Sequence, residues 1–299
     1  MRRRWLQRAL ALSAGVVAPA WAAGNGGRDL RVFLPPDQAP YRNLIQTLRT
    51  FAPNLQIEGD GVPEPARPHV QLAIGPQGLR KALSSDARAP LLCALTSSQT
   101  YRKMLAGSPR DQGTHTAIFA EASPWSQMQL ISALFERRVT VGVLLSDASL
   151  YLERPLRQAA QSSGLDIQVL ALSDKQDPAR ALHQLNAAQV LLAVPDGQLY
   201  TADNLRAVLE STYRRGIPVV GFSQATVQAG TLATTYADPD DMGADIIDML
   251  ENITPGSGSL PEARYPRYWR VAINESVARS LGLIVSDKVR NMGPRPTGR

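Results

Sequence analysis

Short apolar runs alternate along the chain with longer stretches in which apolar residues recur every three or four positions. The short runs are typical of buried strands and lie at residues 30–34, 70–74, 91–95, 117–119, 139–145, 167–170, 190–194 and 218–222. The longer stretches predict helices at residues 41–51, 77–84, 125–135, 151–163, 178–185, 201–213 and 239–250. Strands that alternate with helices indicate right-handed βαβ units and parallel sheets covered on both faces. The predicted fold class is therefore α/β.

The first 22 residues have the pattern of an exported signal peptide. Arginines at the start precede an apolar stretch of about ten residues, and Ala20-Trp21-Ala22 offers a cleavage site of small residues. That stretch is far shorter than the roughly 20 residues that span a bilayer. We expect cleavage near Ala22 and a periplasmic protein without stable membrane insertion. The Arg2-Arg3-Arg4 start also resembles a twin-arginine signal, so both export routes stay open.

Length and charge narrow the class of protein once this segment is set aside. The roughly 277 residues that remain exceed a typical single core, so two lobes are expected. The full chain carries +6, of which residues 1–22 supply four arginines and no acids, leaving +2. A nucleic-acid binder should show a basic stripe on its folded body, and this sequence has none. We therefore expect no nucleic-acid partner.

Signatures of catalysis and metal binding are missing from the sequence. Cys93, the only cysteine, lies in an apolar run that reads as a buried strand, and the histidines His69, His115 and His183 are far apart. The chain has no Gly-x-Ser-x-Gly elbow and no glycine-rich phosphate loop after its first strand. A hydrolase set assembled from Ser146-Asp147 and His183 is the remaining enzyme hypothesis. We predict a protein that is not an enzyme, with no catalytic residues, no cofactor and no metal.

Ligand-binding residues are predicted at the carboxyl ends of the strands, where parallel α/β sheets place their sites. The loops there are short and polar, with little net charge, which suits a small neutral or zwitterionic ligand. The candidate ligand-binding residues are Gln77, Ser97, Ser98, Asp147, Asp196, Gln198, Ser223, Gln224 and Tyr236.

Several of these candidates have a purely structural alternative. The serines at 97, 98 and 223 can cap helices, at about 1 kcal/mol each, and the aspartates at 147 and 196 can do the same. As ligand groups, the two aspartates would accept hydrogen bonds from an amine. Tyr236 can stack on a ligand ring or pack at the edge of a lobe.

The C-terminal half carries a resemblance to a known family. Residues 213–223 read Tyr-Arg-Arg-Gly-Ile-Pro-Val-Val-Gly-Phe-Ser, residues 227–233 read Val-Gln-Ala-Gly-Thr-Leu-Ala, and residues 274–282 read Asn-Glu-Ser-Val-Ala-Arg-Ser-Leu-Gly. This order resembles the ABC-transporter substrate-binding proteins with a type I periplasmic-binding fold, in the branch that includes receptors for aromatic amino acids. Asp196 and Ser223 match positions in loops that line the cleft in that family. The first lobe lacks the family's amino-acid motifs, so amino-acid recognition does not carry over.

The resemblance implies two Rossmann-like lobes joined by three crossings. The first lobe would comprise residues 24–121 and 235–256, and the second residues 122–234 and 257–290. The C-terminal residues 291–299, rich in glycine and proline, are predicted from their composition to be a disordered tail. The crossings would fall near Glu121, Thr234 and Gly258.

The family's function implies a periplasmic solute-binding protein of an ABC-type importer. It would close on a small organic ligand, amino-acid-like or similarly polar or aromatic, and deliver it to an inner-membrane permease as a monomer. A periplasmic accessory or sensor protein of the same fold, which partners a signalling or outer-membrane receptor system, is the alternative.

Overall fold

The computed structural model describes residues 30–53, 55–57, 70–85, 89–110, 113–173, 176–253 and 260–296. The predicted signal peptide and its cleavage site lie outside these residues. Gly258, near which the third crossing is predicted, also lies outside them.

Strands and helices alternate through most of the described chain. The strands are β1 (Leu30–Phe33), β2 (Gln56–Ile57), β3 (Val70–Ile74), β4 (Leu91–Thr96), β5 (His115–Phe119), β6 (Thr140–Ser146), β7 (Asp166–Leu172), β8 (Val190–Leu192), β9 (Val219–Val220), β10 (Ala233–Tyr236) and β11 (Arg270–Ile273). The helices are α1 (Arg42–Phe51), α2 (Gly75–Ser84), α3 (Ser98–Ala106), α4 (Pro124–Phe135), α5 (Glu153–Ser162), α6 (Pro178–Ala181), α7 (Ala202–Arg214), α8 (Gln224–Gln228), α9 (Pro239–Glu251), α10 (Glu275–Ser280) and α11 (Asp287–Arg290). The predicted α/β class is confirmed.

Several helices begin where the local sequence favours a start. Ser123, Asp177 and Asp238 each accept a hydrogen bond from a backbone N–H of the helix that follows. A proline stands at the beginning of each of these helices, where its missing N–H has no intrahelical partner to lose.

The first lobe is built on a five-stranded sheet in the order β2-β1-β3-β4-β5, with all strands parallel. One apolar cluster packs α1 and α9 against one face, and a second cluster, which includes Leu79 of α2 and Tyr101 of α3, packs against the other. Cys93 is fully buried in this second cluster, as its apolar surroundings predict. Burial on both faces explains the near-continuous apolar strands.

The second lobe is built on a six-stranded sheet in the order β11-β10-β9-β8-β6-β7. Its strands are parallel except β11, which pairs with β10 in the antiparallel direction. One large apolar cluster covers this sheet and includes Met128 and Leu134 of α4 as well as Val208 of α7. Each lobe therefore has its own core.

Within the described residues, three passages between the two sheets are seen. The chain leaves the first sheet after β5, and Glu121 forms an isolated bridge with Tyr236 at the end of β10. It then returns through α9, which packs on α1. The last passage follows Arg264, whose backbone still pairs with Ile118 of the first sheet, and leads to β11.

The sequence predicts a disordered tail from residue 291. In the structure, residues 291–296 pack against the second lobe. Gly293 adopts a φ of +94° against the ring of Trp269, and a Cβ there would lie 2.1 Å from the Trp269 carbonyl oxygen. The Arg295 guanidinium donates to the same carbonyl over 2.5 Å. The tail therefore covers the last passage between the lobes.

Candidate functional site

The cleft side of the first lobe is built around the start of α3. The strand β4 ends in an irregularity at Leu95, which has a φ of +57°. Ser97 then caps α3 by accepting from the Thr100 N–H over 3.2 Å. This bend at the strand end directs the polar run 96–99 toward the second lobe.

Glu121 places a buried carboxylate at the N-terminus of α3. The Ser98 N–H donates to both carboxylate oxygens, over 2.9 and 3.1 Å, and the Ser98 hydroxyl donates to one of them. Glu121 is 7% exposed. Burial raises the pKa of the Glu121 carboxyl, and the bonds from Ser98 offset part of that rise. A protein carboxylate thus occupies a place where a helix start favours an anion.

Three contacts join α3 to the second lobe across the cleft. The Tyr151 hydroxyl lies 2.6 Å from the Ser98 hydroxyl, and the Arg102 guanidinium lies 4.3 Å from the centre of the Tyr151 ring. The Gly197 N–H donates to the Gln99 side-chain oxygen over 3.2 Å. Because the single Ser98 hydroxyl hydrogen is used for Glu121, the Tyr151 hydroxyl is the donor in their bond. The lobes are therefore in direct contact through side chains of the chain itself.

On the second lobe, Asp196 organises two neighbouring loops. One carboxylate oxygen accepts from the hydroxyls of Ser146 and Ser149, each over 2.6 Å. The other accepts from the N–H groups of Gln198 and Leu199, over 2.9 and 3.2 Å. Burial alone would raise the pKa of Asp196, which is 2% exposed, but these four bonds together lower it below its usual value.

A small cavity lies beside the passages between the lobes, walled mostly by the second lobe, with an unfilled volume of about 20 Å³, which is room for about one water molecule. Most of its wall is apolar: Leu152, Leu156, Leu192, Val194, Pro195 and Phe222. Its polar lining comprises Glu121, Gln127 and Tyr265. Burial raises the pKa of Tyr265, and the negative charge of Glu121 adds to the rise. A drug-sized ligand needs ten times this volume or more, so the lobes must separate to admit one.

The second passage between the lobes is held by Gln127 of α4. Its side-chain NH₂ donates to the carbonyls of Gly221 and Thr235 and to the Thr234 hydroxyl, each over 3.2 Å. Its side-chain oxygen accepts from the Thr235 N–H over 3.2 Å. All the hydrogen-bonding groups of this buried amide are therefore engaged, which fixes β10 against α4.

The last passage is tied to the first lobe by Asp245 of α9, which is fully buried. The Arg264 guanidinium donates to both Asp245 oxygens, over 2.6 and 3.1 Å, and the Arg267 N–H donates over 2.8 Å. A second pair, Arg270 with Asp241, lies one helical turn away, with bonds of 2.7 and 2.9 Å.

The predicted site residues are placed as follows in the first lobe. Gln77 is exposed in the first turn of α2. Ser97 is half-buried as the cap of α3, and Ser98 is 1% exposed and bonded to Glu121. Of these three, only Ser98 takes part in the contacts across the cleft.

In the second lobe, the predicted residues spread over three loops. Asp147 and Gln198 are exposed beside the buried Asp196. Ser223 and Thr226 cap α8 reciprocally, with Gln224 exposed next to them. The cavity is lined by residues other than the predicted ones. Two of the lining residues, Pro195 and Phe222, immediately precede the predicted residues Asp196 and Ser223. Direct ligand contact by the predicted residues stays a prediction.

Tyr236, also predicted to bind ligand, is half-buried at the end of β10. Burial raises the pKa of its hydroxyl, and the nearby charge of Asp238 raises it further, while Arg270 and Arg295 lower it. Tyr236 therefore lies among the charged side chains of the hinge.

The sequence did not single out Glu121, Tyr151 and Tyr265 as site residues. Glu121 carried one signal, because an acid two residues beyond a buried strand lies near the ligand edge of a parallel sheet. Tyr151 and Tyr265 carried none, since tertiary folding alone brings them to the cleft.

Similarity to known proteins is found at the level of structure. No protein-family model matches the chain, and no curated protein matches it. A substrate-binding protein with adhesive properties from Clostridium difficile, in a ligand-free, open form, superposes with a TM-score of 0.61 at 15% identity, covering 87% of this chain and 96% of that one. An ABC domain from Streptococcus pneumoniae in complex with L-Trp gives a TM-score of 0.56 at 17% identity, covering 87% of this chain and 95% of that one.

A conserved domain protein from Vibrio cholerae gives a TM-score of 0.55 at 16% identity, covering 87% of this chain and 95% of that one. These similarities confirm the type I periplasmic-binding fold that the resemblance implied. Across the described ranges, no helix is long and apolar enough to cross a membrane.

Proposed function

We propose that this protein is a periplasmic solute-binding protein of an ABC-type importer. It closes two lobes on a small organic ligand without covalent chemistry and delivers that ligand to an inner-membrane permease. The fold supports a binding role: one structural neighbour is a substrate-binding protein, and another is an ABC domain in complex with L-Trp.

The observation that carries the proposal is the meeting of the two lobes at their strand ends. Ser98 and Gln99, at the start of α3, contact Tyr151 and Gly197 of the second lobe. These contacts border a cavity whose walls come from the second lobe and from the passages between the lobes. In open α/β sheets, this edge is where ligands bind.

Function then follows from a closure equilibrium. The bonds from Ser98 to Tyr151 and from Gln99 to Gly197 favour the closed arrangement, and separating the lobes breaks both. A ligand held by both lobes adds to the stability of the closed arrangement only by its differential affinity for the two states. The closed arrangement is the one that the permease would recognise.

A solute screen tests this proposal. Thermal unfolding of the purified protein is measured with amino acids, amines, sugars, nucleobases and vitamins. A ligand at 100 times its dissociation constant should stabilise the fold by about 2.7 kcal/mol. If no solute in a broad collection raises the unfolding temperature, the binding role is contradicted.

A variant pair tests the role of the cleft once a solute has been found. Tyr151→Phe removes one bond between the lobes and should weaken solute binding about two- to tenfold, the effect of a single hydrogen bond. Tyr213→Phe is the matched control, because Tyr213 is 65% exposed on α7. Equal affinities for the two variants would contradict the assignment of the cleft.

A further inference from the structure

Both lobes fill their own anion-binding positions at the cleft. The Ser98 N–H and hydroxyl, at the start of α3, are taken by Glu121. On the second lobe, the donors of the Ser146 and Gln198 loops are taken by Asp196. Groups of this kind would otherwise bind the carboxylate of a ligand. A ligand carboxylate would therefore have to displace a protein carboxylate from its donors.

The charge around the cavity also disfavours an anion. Glu121 lines the cavity, and Asp196 directly follows the lining residue Pro195. Burial raises the pKa of the Tyr151 hydroxyl, and the negative charges of Glu121 and Asp196 raise it further. Among the residues that the structure describes, those lining the cavity include no lysine or arginine. Arg102 is exposed and stacks on the Tyr151 ring.

Glu121 retains the capacity to bind a donor. A carboxylate has about four acceptor positions, and three donors reach it here: the Ser98 N–H, the Ser98 hydroxyl and the backbone N–H of Glu121 itself. The other polar groups in the wall are Gln127, which is fully engaged with the hinge, and the Tyr265 hydroxyl, which interacts with Ser98. Leu152, Leu156 and Phe222 form an apolar surface beside this carboxylate. A polar ligand with many hydroxyls would find few partners here.

We propose that the cleft takes an apolar amine: an aromatic or aliphatic primary ammonium compound without a carboxylate. Its ammonium group pairs with Glu121, and its body lies against Leu152, Leu156 and Phe222. This inference rests on the proposed solute-binding function and adds the chemical class of the solute. Because the cavity is small, the bonds of Ser98 to Tyr151 and of Gln99 to Gly197 must break for the ligand to enter and form again when the lobes close on it.

Two matched series of probes test the inference by titration calorimetry on the purified protein. The aromatic series is 2-phenylethylamine, L-phenylalanine and 3-phenylpropionate, which share one skeleton and differ in their ammonium and carboxylate groups. The aliphatic series is pentylamine, L-norleucine and hexanoate. In at least one series, the amine should bind about tenfold or more tightly than both of its partners, which is roughly 1.4 kcal/mol.

Two variants sharpen the result. Glu121→Gln should weaken binding of the amine about tenfold or more and remove its advantage over the amino acid. Glu210→Gln is the matched control, since Glu210 is an exposed acid on α7 away from the cavity lining and should leave every affinity unchanged. Calorimetry on the unmodified protein decides the inference even if Glu121→Gln fails to fold.

Each outcome has a definite meaning. Tighter binding of a carboxylate-bearing probe overturns the amine assignment and leaves the solute-binding function standing. Binding of sugars or nucleobases, with no binding of any of the six probes, also overturns the amine assignment and leaves the solute-binding function standing. If neither the probes nor the wider screen give binding, the proposed function fails together with this inference.

Discussion

Replacement of Asp196 by alanine should destabilise the protein strongly even without a ligand. The change removes the shared acceptor of the Ser146 and Ser149 hydroxyls and of the Gln198 and Leu199 N–H groups. The hydroxyls can turn toward other acceptors, and Gln198 is exposed to water, but the Leu199 N–H is buried. A buried donor without a partner costs about 1–3 kcal/mol, and a bond to a charged group contributes about 1.5–3.

We expect Asp196→Ala to lower the free energy of unfolding by about 2–4 kcal/mol, a large part of the stability of a typical domain. Asp196→Asn keeps a carbonyl oxygen for Gln198 and Leu199 and should cost about 1–2 kcal/mol. Urea unfolding followed by tryptophan fluorescence measures both. Asp147→Ala, at an exposed acid of the same region, should stay within about 0.5 kcal/mol of the unmodified protein.

The effect of Asp196 should also depend on pH. The hydrogen bonds outweigh burial and hold the pKa of this carboxyl below its usual 3.8. Its stabilisation is therefore present above the unfolded pKa and is lost as the pH falls through the folded pKa. The difference in unfolding free energy between the unmodified protein and Asp196→Ala should therefore become smaller below about pH 4. A gap under 0.5 kcal/mol at neutral pH would refute the structural role of Asp196.

Three further predictions concern the hinge and the cleft. Gln127→Glu should cost more than Gln127→Ala in urea unfolding at neutral pH, because a carboxylate would face carbonyl oxygens; equal costs would argue against the bonds to Gly221 and Thr235. Asp245→Ala should cost about 3–5 kcal/mol, since it leaves Arg264 without its buried partner; a cost below 1 kcal/mol would contradict that pairing. Burial raises the pKa of Glu121, so its contribution to stability is present below the unfolded pKa and is lost as the pH rises through the folded pKa. Glu121→Gln should remove this pH dependence from a plot of unfolding free energy against pH. An unchanged plot would show that Glu121 does not titrate in that pH range.

The fold was largely predictable because strands buried on both faces leave a plain apolar signal. The run 139–145 anticipated β6, and 70–74 matches β3 in full. Helix α3 was missed because Ser98 and Tyr101 are its only buried residues, so it shows no apolar stripe. Strand β11 was missed because all four of its residues are only partly buried.

The site was less predictable because its key contacts join residues far apart in the sequence. Ser98 was predicted, but its partners Glu121 and Tyr151 lie 23 and 53 residues further on. Asp196 was predicted as well, yet nothing local indicates that loop 146–149 supplies its donors. Strand-end rules locate such loops, whereas the pairing of side chains across the cleft depends on how the two sheets meet.

Lobe closure in response to a solute is the central claim, and a distance between spin labels tests it most directly. Cys93 is buried and its pKa is raised to about 12, so labels should react only with cysteines introduced at exposed positions, such as Lys103→Cys on the first lobe and Arg206→Cys on the second. A saturating solute from the thermal screen should convert a broad distribution of label distances into one short distance. A distribution that the bound solute leaves unchanged would contradict closure.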